Sequence, residues 1–181
     1  MVANFNASVI EYFKYLQFHH AIMADAIIEF DPEKTAKAKG VDVDEVYQIM
    51  KNGTGASPWV SMRIISELNL SKETKDWRKD GSSDEGDMEF KGITIHGVIL
   101  VPSGMVGSGR KVDWEKLNPW LDGIPGGFVL HDNTQYPRVA LYQIPTSTIR
   151  EWAEDGLLKA DGSVSQKNIM SALSELGYDV E

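Results

Sequence analysis

The chain of 181 residues contains no cysteine, and none of its apolar runs approaches the length of a membrane span. Such a span needs about 20 consecutive apolar residues. Without cysteine the protein has no disulfide, no thiolate nucleophile and no cysteine-based zinc site, which suits a reducing compartment. Glu11, Lys14 and Asp25 interrupt the apolar pattern near the N-terminus, unlike the pattern of a secretory leader. We therefore expect a cytoplasmic protein that does not interact with membranes.

Basic residues are also scarce, since 18 Lys and Arg stand against 27 Asp and Glu and the formal net charge is −9. An extended nucleic-acid surface needs many Lys and Arg side chains, so the overall composition argues against one. Five basic residues nevertheless cluster in the middle of the chain, on either side of the segment 82–97 or within it: Arg78, Lys79, Lys91, Arg110 and Lys111. A local basic groove within an acidic protein is compatible with this distribution.

The apolar content of 42% and the five Trp residues indicate an ordered globular protein. Over residues 7–30 the apolar side chains recur at steps of three and four, which predicts a helix. Asp42 and Ser57 stand at the N-cap positions of two further predicted helices. We expect a helical N-terminal region over residues 1–56, which offers a dimerisation surface, and a core over residues 57–181 that ends in C-terminal helices.

Strand patterns occupy the middle of the chain. The segment "MEFKGITIHGVILV" is typical of a strand, and "GGFVLHD" and "RVALYQIP" predict a buried hairpin. A short helix should precede this hairpin, and we expect Pro119 to bend or end it.

Two helices are predicted after the hairpin. Thr148 with Glu151, and Ser163 with Gln166, have the spacing of a capping box at a helix N-terminus. The order of helices, strands and helices predicts an α/β (α+β) fold in which helices flank a central mixed sheet.

The charged residues of "GDMEFKGITI" suggest a chemical site. Glu89 and Lys91 are two positions apart, so a strand presents both on one face. Carboxylates are suitable Mg²⁺ ligands, and a bound metal polarises a phosphate and lowers the pKa of an attacking water. A neighbouring lysine can stabilise the resulting hydroxide. A second acid would complete the ligand set, and Asp80, Asp84 and Asp87 are alternatives for that position.

An acid followed by Glu-x-Lys on a strand resembles the PD-(D/E)xK nuclease superfamily, and "SD…GDMEFKGITI" is most similar to its MutH and Sau3AI branch. The likeness extends over residues 57–153, with Ser83-Asp84 in the place of the family's Pro-Asp. It implies a restriction-endonuclease-like core and a Mg²⁺-dependent DNA endonuclease, of the type II restriction class, that cuts double-stranded DNA as a homodimer. It also implies the following roles: Asp84 or Asp80 with Glu89 as metal ligands, Lys91 as the residue that activates water, and Glu67 as an auxiliary acid.

We assign candidate DNA contacts to four cations, which are Arg78, Lys79, Arg110 and Lys111. The loops 103–111 and 132–138 are the candidate base-contacting elements. The glycine-rich loop is not a phosphate loop, because Gly109 is followed by Arg110-Lys111 instead of Lys and a hydroxyl residue. The alternative function is a non-enzymatic acidic interaction protein, such as a phage inhibitor or structural adaptor, which the net charge favours.

Overall fold

The computed structural model describes residues 24–53, 57–76, 78–107 and 111–180. Within these ranges the fold is mixed α/β, as the order of sequence patterns predicts. In chain order the elements are β1 (Ala26–Glu29), α1 (Pro32–Lys39), α2 (Val43–Asn52), α3 (Ser57–Glu67), β2 (Gly81–Ser83), β3 (Gly86–Ile93), β4 (Val98–Ile99), α4 (Trp114–Asp122), β5 (Gly127–Asp132), β6 (Arg138–Ile144), α5 (Thr146–Glu154), β7 (Ser163–Val164) and α6 (Gln166–Glu175).

The central sheet has the strand order β1-β6-β5-β3-β2. Strands β3 and β5 pair in parallel, with Glu89 opposite Phe128 and Lys91 opposite Leu130. The other three pairings in this sheet are antiparallel, and they include the predicted hairpin of β5 and β6. A parallel pair needs a long crossover connection, which here contains β4 and α4. Strands β4 and β7 form a small second sheet.

Helices cover both faces of the central sheet. On the first face, Phe90 and Val129 belong to the same apolar cluster as Val46 of α2 and Ile64 of α3. On the second face, α4, α5 and α6 pack against the apolar side chains of β5 and β6 in another cluster. Because side chains alternate along a strand, Glu89 and Lys91 project to the second face while Phe90 projects to the first.

The helix predicted over residues 7–30 is wrong for the part of that range that the structure describes. Residues 7–23 lie outside the described residues, whereas Ala26–Glu29 form a strand instead of a helix. This strand pairs antiparallel with β6 along its full length and buries Ile28 completely. The β-branched pair Ile27-Ile28 suits a strand, and the partner strand outweighs a weak helical pattern. Residues on both sides of position 56 therefore share one core.

The sequence predicts four helix caps; α3 begins at Ser57, whose side chain lies outside the described residues, and one of the other three caps agrees with the structure. Asp42 caps α2 as predicted, since its Oδ1 accepts a hydrogen bond of 2.7 Å from a first-turn backbone N–H. The capping box predicted at Thr148 is wrong, because α5 already begins at Thr146, directly after a proline. The cap of α6 is Ser165 instead of Ser163, which lies in β7. No helix among the described residues is long and apolar enough to cross a bilayer.

Candidate active site

Glu89 is a buried carboxylate held by two lysines. Its Oε1 accepts a hydrogen bond of 3.1 Å from Lys79 Nζ, and its Oε2 accepts one of 2.6 Å from Lys91 Nζ. The Glu89 side chain is only 9% exposed. Strand β3 brings Glu89 and Lys91 to one face because of its two-residue period, as the spacing predicts. With one ammonium group on each oxygen, the carboxylate is fixed in orientation.

Asp80 lies beside Glu89 at the edge of the sheet. Its backbone N–H donates to Met88 O at 3.1 Å, and its Oδ2 accepts a 2.8 Å hydrogen bond from Phe90 N–H. The two bonds hold Asp80 against the residues on either side of Glu89. Strand β2 begins only at Gly81, so the Asp80 carboxylate occupies a position where a longer strand would continue the ladder.

The electrostatic environment of Asp80 connects it to the same cluster. Burial is the main reason why the pKa of Asp80 is raised above its usual value, and the negative charge of Glu89 adds to this effect. The hydrogen bond from Phe90 and the charges of Lys91 and Lys79 act in the opposite direction. Asp80 and Glu89 thus interact as two neighbouring carboxylates, and we call them the acid pair.

Asp84, the alternative first acid, is not part of this arrangement. It lies exposed in the turn between β2 and β3, where Ser83 pairs with Gly86. From Gly86 the strand runs roughly 10 Å to Glu89, at about 3.3 Å per residue. Of the three acids left open by the sequence, the structure therefore brings Asp80 next to Glu89 and keeps Asp84 away from it.

Asp87, the third alternative, has a structural contact on each oxygen. Its Oδ1 accepts from the backbone N–H of Lys75 and its Oδ2 from that of Asp76, both at 2.9 Å. The residue is 5% exposed. These two bonds anchor the segment that leads directly to Lys79 and Asp80. Asp87 thus holds the segment that leads to the acid pair without joining the pair.

Glu67, the expected auxiliary acid, is the last residue of α3 and is exposed. Helix α3 packs on the first face of the sheet, where Ile64 is fully buried. Glu89 projects to the second face, so the sheet separates the two carboxyl groups. The structure does not bring Glu67 into the site.

Lys79 departs from the sequence prediction in a different way. A contact with the DNA backbone requires an exposed side chain, yet the side chain of Lys79 is 6% exposed. Its Nζ lies 5.0 Å from the ring centroid of Trp120, in addition to its contact with Glu89. Helix α4 continues through Pro119 to Asp122 instead of ending at the proline, and thereby carries Trp120 to this position. No local pattern in the sequence indicated this pairing of a lysine and a tryptophan.

The other candidate DNA contacts have different environments. Arg78 is exposed two positions before Asp80 in the chain, and its Nη2 forms a 2.8 Å ion pair with Asp76. Lys111 is exposed in the loop before α4, and its carbonyl accepts from Gly107 N–H. Arg110 lies outside the described residues. Of the loop 132–138, Asn133 is almost completely buried, so only part of that loop is open to a ligand.

No protein-family model, curated protein or solved structure matches this chain. Within the part of the chain that the structure describes, no three His, Asp or Glu side chains are grouped so that they could hold a metal ion. The acid pair has two carboxylates, and Mg²⁺ in nucleotide-processing sites is often held by one or two carboxylates together with waters and phosphate oxygens. The residues present therefore fit a divalent cation that keeps waters in its remaining positions, some of which phosphate oxygens replace when DNA is bound.

Two cavities flank β3. One, of about 960 Å³, includes Asp84 in its lining and lies at the end of the strand distant from Lys91. Another, of about 550 Å³, is lined by Lys91, His131 and Asn133 among others. The His131 imidazole is buried and its Nδ1 lies 3.1 Å from Asn133 Oδ1. Neither cavity has the acid pair in its lining, so we locate the candidate site by its chemistry and not by the volume of a cavity.

Proposed function

We propose that this chain is a Mg²⁺-dependent DNA endonuclease, of the type II restriction class, that hydrolyses phosphodiester bonds of duplex DNA. The proposal depends on one observation: Asp80 lies beside Glu89 and Lys91, which strand β3 carries. Asp80 precedes Glu89 by nine positions and Lys91 follows by two, which keeps the acid and Glu-x-Lys pattern of the PD-(D/E)xK nucleases with Asp80 as the first acid.

The chain's own residues divide the work as follows. Asp80 and Glu89 would hold the magnesium ion, which when bound acts as a Lewis acid on the phosphate and lowers the pKa of a coordinated water. Lys91 is held 2.6 Å from Glu89 and keeps a quarter of its side chain exposed, at 25%. Its ammonium can therefore orient the attacking water and offset the negative charge that develops on the phosphate.

The partner in this proposal is double-stranded DNA, in the cytoplasm, bound by a homodimer whose two subunits each cut one strand. Arg78 is the exposed cation nearest in sequence to the acid pair and is suited to a backbone phosphate. Of the N-terminal region 1–56 that is expected to form the dimer surface, residues 1–23 and 54–56 lie outside the described residues. With a net charge of −9, binding must depend on a small number of phosphate contacts.

Cleavage of mixed-sequence plasmid tests the proposal directly. Methylated and unmethylated plasmid should be incubated with wild type, Glu89→Gln and Lys91→Ala in Mg²⁺ or Mn²⁺, and the products separated on a gel. We expect nicked or linear DNA with wild type only. Lys72→Ala, which removes an exposed lysine, is the matched control and should cut like wild type. Failure of wild type to cut any of these substrates with either metal would refute the proposal.

One observation favours the alternative function of a non-enzymatic acidic interaction protein. Glu89 already has an ammonium group on each oxygen, which is also what a purely structural ion-pair network looks like. The same plasmid assay separates the two functions. In a structural network, Lys91→Ala would lower the free energy of unfolding while no variant, nor wild type, would cleave DNA.

A further inference from the structure

The acid pair is electrically balanced without a metal. Asp80 and Glu89 carry two negative charges when ionised, and the ammonium groups of Lys79 and Lys91 carry two positive ones. All four belong to one largely buried cluster. A divalent cation added to this cluster would leave it with an uncompensated double positive charge, which a poorly solvated site does not tolerate. In the absence of a substrate phosphate, metal binding should therefore displace one of the two ammonium groups from the acid pair.

The two lysines differ in how readily they can leave Glu89. Lys91 is the closer partner, at 2.6 Å, and is carried by the same strand. Lys79 is farther, at 3.1 Å, and its ammonium has a second partner in the ring of Trp120. The face of a tryptophan attracts a cation independently of any carboxylate. When Lys79 releases Glu89, its charge thus retains a favourable contact, whereas Lys91 has no comparable ring contact among the described residues.

We propose that Lys79 is a positioning residue that closes the acid pair in the metal-free protein, because its ammonium occupies the position at Glu89 Oε1 that a divalent cation needs. The inference rests on the proposed function, since it assumes that Asp80 and Glu89 take a metal. Lys79 and the metal then compete for one oxygen, and binding of the metal turns Lys79 away from Glu89 along the face of Trp120.

Chemical labelling of wild-type protein tests this competition without DNA and without a variant. Lysines are acetylated with a limiting amount of an N-hydroxysuccinimide ester, and each site is quantified by peptide mass spectrometry with and without Mn²⁺. We expect the labelling rate of Lys79 to be low without metal and to rise several-fold at saturating Mn²⁺. Lys116, with a side chain that is 65% exposed, is the internal control and should not change.

A Mn²⁺ titration followed by electron paramagnetic resonance provides the second readout. Lys79→Met removes the charge and keeps an apolar side chain next to Trp120, so its affinity for Mn²⁺ should be roughly tenfold higher, within the usual range of coupling between sites. Lys72→Met, which makes the same substitution at an exposed lysine, is the matched control and should bind like wild type. Glu89→Gln should lose binding.

The outcomes separate this inference from the function on which it rests. If Mn²⁺ binds in a manner that depends on Glu89, but Lys79 labelling does not rise, then Lys79 does not compete with the metal and the inference is overturned while the metal site stands. If neither wild type nor Lys79→Met binds Mn²⁺, the metal site fails and both ideas fall. Should Lys79→Met not fold, the labelling of wild type decides alone.

Discussion

At the scale of single residues, the acid pair combines two carboxylates of different character. Glu89 is satisfied on both oxygens by lysines, while Asp80 accepts a backbone hydrogen bond at the sheet edge. Asp80 remains costly to ionise, because it is partly buried and next to Glu89. An asparagine at this position could accept the same backbone hydrogen bond without the cost of a charge. A carboxylate that lowers stability is therefore expected where the charge serves a chemical function.

Substitution of Asp80 should separate stability from activity. Because the folded-state pKa of Asp80 lies above its value in the unfolded chain, the folded state binds more protons in the window between them. The ionised group therefore lowers the free energy of unfolding once the pH is above that window. Asp80→Asn should leave the melting temperature unchanged or higher and abolish plasmid cleavage, as measured by circular dichroism and gel assay.

Asp84→Asn is the control for that experiment, since it removes an acid from the exposed turn of the same hairpin. It should retain both wild-type cleavage and wild-type melting temperature. The opposite pattern, with activity lost in Asp84→Asn and kept in Asp80→Asn, would return the first-acid role to the turn and contradict the geometry of the acid pair.

At the scale of elements, the β2–β3 hairpin and the segment before it build the site. Strand β3 pairs in parallel with the buried strand β5 and holds Glu89 and Lys91 in register. In the preceding segment, the backbone N–H groups of Lys75 and Asp76 are held by the carboxylate of Asp87. This carboxylate defines where Lys79 and Asp80 return to the edge of the sheet. An isosteric substitution of Asp87 should therefore shift Lys79 and Asp80, although Asp87 itself is not one of the proposed metal ligands.

Asp87→Asn should loosen that segment. An amide offers one acceptor oxygen, so one of the two backbone N–H groups of Lys75 and Asp76 loses its partner, at a cost of about 1–3 kcal/mol in the free energy of unfolding. Urea denaturation measures the loss, and hydrogen exchange should be faster at these two amides. Glu85→Gln, in the exposed turn, is the matched control. An unchanged urea midpoint and exchange rate in Asp87→Asn would show that the segment is held by other contacts.

At the scale of the whole molecule, the two faces of the sheet have different tasks. The second face carries the acid pair and its lysines, while His131 is buried on the first face, on the same side of β5 as Val129. His131 is neutral in the folded protein at physiological pH, because burial lowers its pKa from 6.5 to about 4 against the opposing effect of the hydrogen bond with Asn133. The stability of the fold should therefore depend on pH through this histidine.

The sign of that dependence follows from proton uptake. Between about pH 6.5 and pH 4 the unfolded chain binds a proton at His131 that the folded protein does not, so the free energy of unfolding falls as the pH falls. The complete loss from this residue is on the order of 3 kcal/mol. Urea denaturation at several pH values should show a shallower decline in His131→Gln than in wild type. His96→Gln, at an exposed histidine, should follow wild type, and equal slopes in all three proteins would contradict the prediction.

The features that depend on short spacing could be predicted from the sequence alone. The two-residue period of a strand places Glu89 and Lys91 on one face, and the hairpin of β5 and β6 follows from two apolar runs separated by turn residues. The α/β class follows from the order of such patterns. The absence of cysteine likewise excludes thiol chemistry in any fold that the chain could adopt. The strand face and the hairpin in particular depend on residues that are close together in the chain.

Which acid lies beside Glu89 could not be read from the sequence, because it depends on the register of β2 against β3 and on the anchoring by Asp87. The same holds for the burial of Lys79 against Trp120, which lie 41 positions apart in the chain. Residues 26–29 form a strand because their backbone groups hydrogen-bond to those of β6. A helix at this position would leave the backbone groups on that side of β6 without these partners. Local patterns do not encode such pairings, since partners distant in sequence supply the hydrogen bonds and the burial that fix them.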